Sequence, residues 1–121
     1  MRMAIPIWED KISPVLDTAL RLLIVEVDGR SESSRSVISL DEQDLMRRCL
    51  RIKGLGIDII ICSAISQPFL KMLKAGGIEI IPEISGTPED VLQAYMKGNL
   101  FSPKYMAPWC NRNRNGCSDT S

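Results

Sequence analysis

The chain contains no histidine. That removes Ser-His and Cys-His nucleophile systems, imidazole general bases and the commonest zinc ligand. Aromatic residues make up 5% of it, and Lys plus Arg equals Asp plus Glu at 15 each. A nucleic-acid surface needs a basic excess or a platform of stacking aromatics, and the composition supplies neither. No apolar run approaches the roughly 20 residues that span a bilayer. Met1-Arg2-Met3-Ala4-Ile5-Pro6 runs into Glu9, Asp10 and Lys11 too soon for a signal peptide. None of the four cysteines, Cys49, Cys62, Cys110 and Cys117, stands in a C-x-x-C pair, so nothing resembles a zinc ribbon. These features predict a cytoplasmic protein with reduced thiols and no nucleic-acid or membrane partner.

What is present suits one α/β domain. A chain of 121 residues should bury roughly two-thirds of its unfolded surface and fold without disulfides or a structural metal. Residues 3–7 read as a first strand, with Pro6 near its end or at a bulge. Residues 20–27 read as a covered strand, Asp28-Gly29 as a turn and residues 37–40 as an edge strand after a polar stretch. Asp41 is placed to cap a helix reaching about Lys53. Leu45, Cys49 and Ile52 recur on its inner face beside Met46 and Leu50, and Cys49 reads as a small core residue. Residues 57–61 form a strand expected at the sheet centre. Helices follow over 67–75 and from Thr87 to Gly98, around a short strand at 78–81. The switch from meander to alternating strand and helix predicts a mixed five-stranded sheet with helices covering it. The domain is expected over residues 1–102, with an extended, partly flexible tail over 103–121.

The segment Asp58-Ile59-Ile60-Ile61-Cys62-Ser63-Ala64-Ile65-Ser66-Gln67-Pro68 carries the most chemistry. An apolar strand runs into small polar residues, Ser66 caps a helix and Pro68 fits its first turn. In open α/β sheets ligands bind at the carboxyl ends of strands, and helix N-termini favour anions. The plainer alternative is an ordinary turn between strand and helix. If the first strand lies beside this one, a crevice collects Trp8, Lys11 and Ser13 from one loop. Cys62, Ser63, Ser66 and Gln67 come from the second, with Ser85 and Gly86 close by. Cys62 is the best single candidate metal ligand, provided the strand register turns its thiol to the crevice rather than the core; Cys110 and Cys117, on the tail, are weaker candidates.

Ala4-Ile5-Pro6, Ile12-Ser13-Pro14 and Leu22-Leu23-Ile24-Val25-Glu26-Val27 resemble the opening of the dinitrogenase iron–molybdenum cofactor biosynthesis family. Gly56-Ile57-Asp58, Leu73-Lys74-Ala75-Gly76-Gly77-Ile78-Glu79 and Val91-Leu92-Gln93-Ala94-Tyr95 continue the likeness, in order, to about residue 100. The resemblance implies a ribonuclease H-like, three-layer fold without nuclease activity, in small proteins that carry or assemble metal–sulfur cofactors. Members often follow Ser-Pro with His-Phe-Gly, where this chain has Val15-Leu16-Asp17. They often have a glycine-rich turn where this chain has Cys62-Ser63-Ala64.

The leading expectation is therefore non-enzymatic carriage or assembly of an anionic metal–sulfur cluster, iron–molybdenum or related, with cluster-assembly or client proteins as partners. No nucleotide is expected. N–H donors suit sulfide-rich anions and thiolates suit iron or copper(I). Arg112 and Arg114 would screen anionic charge if the tail folded back; otherwise they are solvated. The alternative is a metal-free module that senses a small anion or docks a protein, through this crevice or through residues 105–109. A nuclease is disfavoured, because the first strand carries no carboxylate for magnesium.

Overall fold

The computed structural model describes residues 1–29 and 31–98. The expected tail over 103–121, with Cys110, Cys117, Arg112 and Arg114, lies outside the described residues.

Among the described residues, six strands and three helices follow in the order β1 (Arg2–Trp8), β2 (Lys11–Ile12), β3 (Arg21–Asp28), β4 (Ser31–Ser39), α1 (Leu45–Gly54), β5 (Ile59–Ile61), α2 (Gln67–Ala75), β6 (Glu79–Ile81) and α3 (Pro88–Lys97), with a 3-10 turn at Leu16–Thr18. The sheet runs β4-β3-β1-β5-β6, and the two-residue β2 pairs with β1 outside that path. β1, β5 and β6 are mutually parallel, while β3 and β4 are antiparallel to their neighbours. The middle of the path is thus β1, and β5, expected at the centre, is the strand beside it. Pro6 is accommodated inside β1 because the pairing with β5 is confined to Met3 and Ala4.

Alternation along the strands builds two apolar layers. Met3, Ile5, Leu23, Val25, Ile59 and Ile61 meet Val91 and Leu92 of α3 on one side. Ala4, Leu22, Ile24, Ile60 and Cys62 meet Cys49 and Ile52 of α1 and Phe69 and Leu73 of α2 on the other. Each fully buried Ile, Leu or Phe contributes about 1.5–3 kcal/mol, so these faces, rather than helix propensity, hold the layers together. The result is the three-layer, ribonuclease H-like α/β arrangement.

Three local expectations shift. β4 spans nine residues and takes in the serine-rich stretch read as a connection. Its side chains are nearly all exposed, so it carries no burial pattern; the Asp28-Gly29 turn and main-chain pairing with β3 define it. α1 is capped by Asp44, whose Oδ2 accepts the Arg47 N–H at 3.1 Å, not by Asp41. The chain at Leu40 is pinned instead to the Leu20 carbonyl, at 2.7 Å, so the helix starts later. Met46 and Leu50 are 54% and 58% exposed; Arg48 turns inward in their place.

Candidate functional site

Three loops leave the carboxyl ends of β1, β5 and β6, and the backbone joins them edge to edge. The Leu16 N–H donates to the Ala64 carbonyl at 2.9 Å, and the Ala64 N–H to the Pro14 carbonyl at 3.0 Å. Glu83 N–H donates to Ser63 O at 2.7 Å, Ile84 N–H to Cys62 O at 3.0 Å, and Ile12 N–H to Gly86 O at 3.0 Å. The loops expected to flank one crevice are therefore neighbours, at the place where open α/β sheets bind ligands.

Two residues in this cluster hold a left-handed backbone without being glycine: Glu9 at φ 58° and Glu83 at φ 65°. Glu9 opens the two-residue turn between the paired Trp8 and Lys11. Such conformations cost of order 1–3 kcal/mol and persist only where the surroundings enforce them.

The side chains divide by depth. Trp8, Lys11, Gln67 and Gly86 are exposed, and Ser66 and Ser85 half-buried. Ser13 and Ser63 are buried, and Ser13 Oγ is turned to the Val15 carbonyl at 3.4 Å. Cys62 faces the core. It shares the side of β5 that carries Ile60, is fully buried, and packs in the layer with Phe69 and Leu73. Burial first, and the Asp17 charge second, push its thiol up to about 12. One step of strand register thus sets the Cys62 thiol in the core layer rather than at the crevice. Among the described residues no group of three or more His, Cys, Asp or Glu is arranged to hold a metal ion.

The N-terminus of α2 already has an anion. Asp17 accepts the Ser66 N–H at Oδ1, 2.9 Å away, and the Ser66 hydroxyl at Oδ2. Ser66 Oγ in turn accepts the Phe69 N–H at 3.3 Å, as a cap. The hydroxyl and N–H at Ser66, expected to face a bound anion, are engaged by the chain's own carboxylate. Behind Asp17 stands Arg48, 2% exposed. Its Nη1 donates to Ala19 O at 2.6 Å and to Leu16 O at 3.4 Å, and its Nε to Glu42 O at 3.0 Å. Burial lowers its pKa, but a guanidinium keeps its charge.

Asp17, Glu83 and Arg48 were not among the residues singled out from the sequence. A signal existed for Arg48, since positions 45, 48, 49 and 52 lie on one helical face. Asp17 had none, because its partner is 49 residues away. Lys11 is the only cation in residues 8–17, 62–67 and 82–87, which also hold Glu9, Asp10, Asp17 and Glu83.

The model of the dinitrogenase iron-molybdenum cofactor family matches residues 1–98. The chain belongs to this family. That span takes in every strand and helix described above, and the family is one of non-catalytic proteins. Solved structures agree on the fold. The protein PH0822 superposes with a TM-score of 0.77 at 22% identity, over 81% of this chain and 90% of that one. A Methanocaldococcus jannaschii protein whose name includes dinitrogenase gives 0.67 at 28% identity, over 82% and 90%. The apo orange protein of Desulfovibrio gigas gives 0.66 at 16%, over 81% and 88%. No curated protein matches the chain significantly. Among the described residues no helix is long and apolar enough to cross a membrane.

Proposed function

We propose that this protein binds an anionic metal–sulfur cluster as cargo and passes it to an assembly or client protein without chemically converting it. The family match over residues 1–98 carries this reading. The loops after β1, β5 and β6 are the binding place, with Trp8, Lys11, Gln67, Ser85 and Gly86 at the rim. Lys11 is the cation that holds a sulfide-rich anion there, and one exposed charge holds it weakly, which suits a carrier that must release it. Glu9 and Asp10, directly before Lys11 in the chain, weaken the hold further.

Anaerobic reconstitution with an iron–sulfur or thiomolybdate species, read by absorption and metal content, tests this. The wild type should load stoichiometrically. Lys11→Glu and Trp8→Ala should load several-fold less while their melting stays close to wild type, because both side chains are exposed. No loading, or loading indifferent to both substitutions, would overturn the reading.

A metal-free docking module is the second reading. It is favoured by Trp8, 58% exposed beside Glu9 and Asp10, since exposed aromatic residues anchor protein interfaces. A protein that takes up no cluster but binds a partner through Trp8 would establish it.

A further inference from the structure

We infer that Arg48 is a positioning residue that latches the first loop shut against the second, so that entry to the cluster of loops is controlled from α1. The inference rests on the reading of these loops as the binding place. Three observations carry it.

First, Arg48 is nearly fully buried, and its guanidinium donates to three main-chain carbonyls. A buried cation is expensive unless its donors are used. Here two of its acceptors, Leu16 O and Ala19 O, bracket the 3-10 turn at Leu16–Thr18, and the third, Glu42 O, belongs to the segment leading into α1. The side chain therefore ties the turn to the α1 layer.

Second, the turn so held carries Asp17, which closes on Ser66 through both carboxylate oxygens. Fixing the Leu16 and Ala19 carbonyls fixes the residue between them. Arg48 thus acts on the second loop through Asp17. The latch has two parts in series, Arg48 to the turn and Asp17 to Ser66.

Third, the core behind the turn contains a reporter. Leu16 is fully buried in the same layer as Cys62, and its N–H is tied to Ala64. Lifting the turn withdraws Leu16 from that layer and loosens the loop that begins at Cys62. Cys49 lies in the same layer but on α1, next to Arg48, so it reports on that helix rather than on the loop. Both thiols are buried, and a general loosening of the fold would expose the two together.

The two thiols separate local from global opening. Wild type, Arg48→Met, Arg48→Lys and Asp17→Asn, all as full chains, are treated with iodoacetamide under native conditions, and each cysteine is followed by peptide mapping. Arg48→Met and Asp17→Asn should accelerate alkylation of Cys62 about tenfold or more, as loss of charge-assisted hydrogen bonds to buried groups implies. Cys49 should stay at its wild-type rate. Arg48→Lys keeps the charge but not the fork, so it should fall between wild type and Arg48→Met. Equal acceleration of Cys49 and Cys62 would mean that Arg48 only stabilises the fold, and would overturn the latch. Unchanged Cys62 in both variants would overturn it equally. If Arg48→Met does not fold, Arg48→Lys decides in its place, because Asp17→Asn also removes a charge that raises the Cys62 thiol. The readout needs no cluster, so failure of the latch and failure of cluster carriage are told apart.

Discussion

Glu83 donates its N–H to the Ser63 carbonyl at 2.7 Å while standing at a left-handed φ of 65°. One bond of the loop cluster is thus made by a residue in a conformation that glycine adopts freely and other residues do not. The strain and the contact belong together, because the bond helps hold the backbone there.

Replacing this residue with glycine should therefore stabilise the protein. Relief of the left-handed conformation outweighs the added freedom of the unfolded chain, leaving about 0.5–1 kcal/mol. Glu83→Val should destabilise it, because a branched side chain fits that region worst. Urea midpoints for the two variants give the sign directly.

Cys62 makes the protein lose stability in alkali. Its folded pKa, pushed up to about 12 by burial and by Asp17, lies above the value near 8.5 of an exposed thiol. The unfolded chain therefore gives up this proton first. The contribution is complete below about pH 8.5 and falls as pH rises towards 12, by at most about 1.4 kcal/mol per unit. Denaturation at pH 8 and pH 10.5 should show the fall, and Cys62→Ala should flatten it. A slope unchanged in Cys62→Ala would assign it to other groups.

Cys62→Ser should behave as a core substitution. A hydroxyl placed among Ile60, Phe69 and Leu73 costs about 1–3 kcal/mol if it stays unpaired. The midpoint should drop, and any change in cluster loading should follow the loss of folded protein. Weakened loading at unchanged stability would instead restore Cys62 as a ligand.

The start of α1 offers a clean comparison. Asp44→Ala removes the side chain that accepts the Arg47 N–H and should cost about 1 kcal/mol. Asp41→Ala, three residues upstream and exposed, should stay within about 0.5 kcal/mol. Thermal melts of the pair would identify the working cap.

The sequence by itself determined the alternation of strands and helices, the apolar faces and the caps at Ser66 and Thr87. These signals are local: a period of 2 or 3.6, or an oxygen three residues before an N–H, is written inside one element. It also determined the absence of imidazole chemistry, which composition alone decides. Tertiary structure decided the rest. Only the neighbours of β5 show that Cys62 lies with Ile60 under α2 rather than in the crevice. Only assembled layers show that Arg48 replaces Met46 and Leu50 at the inner face of α1, and that β4 pairs over nine residues with almost no side chain to bury. Asp17 reads as an ordinary loop carboxylate until β1 and β5 lie in parallel and bring it to Ser66. The physical reason is the same each time: burial, register and hydrogen-bond partners belong to pairs of elements, and such pairs exist only once the chain has folded.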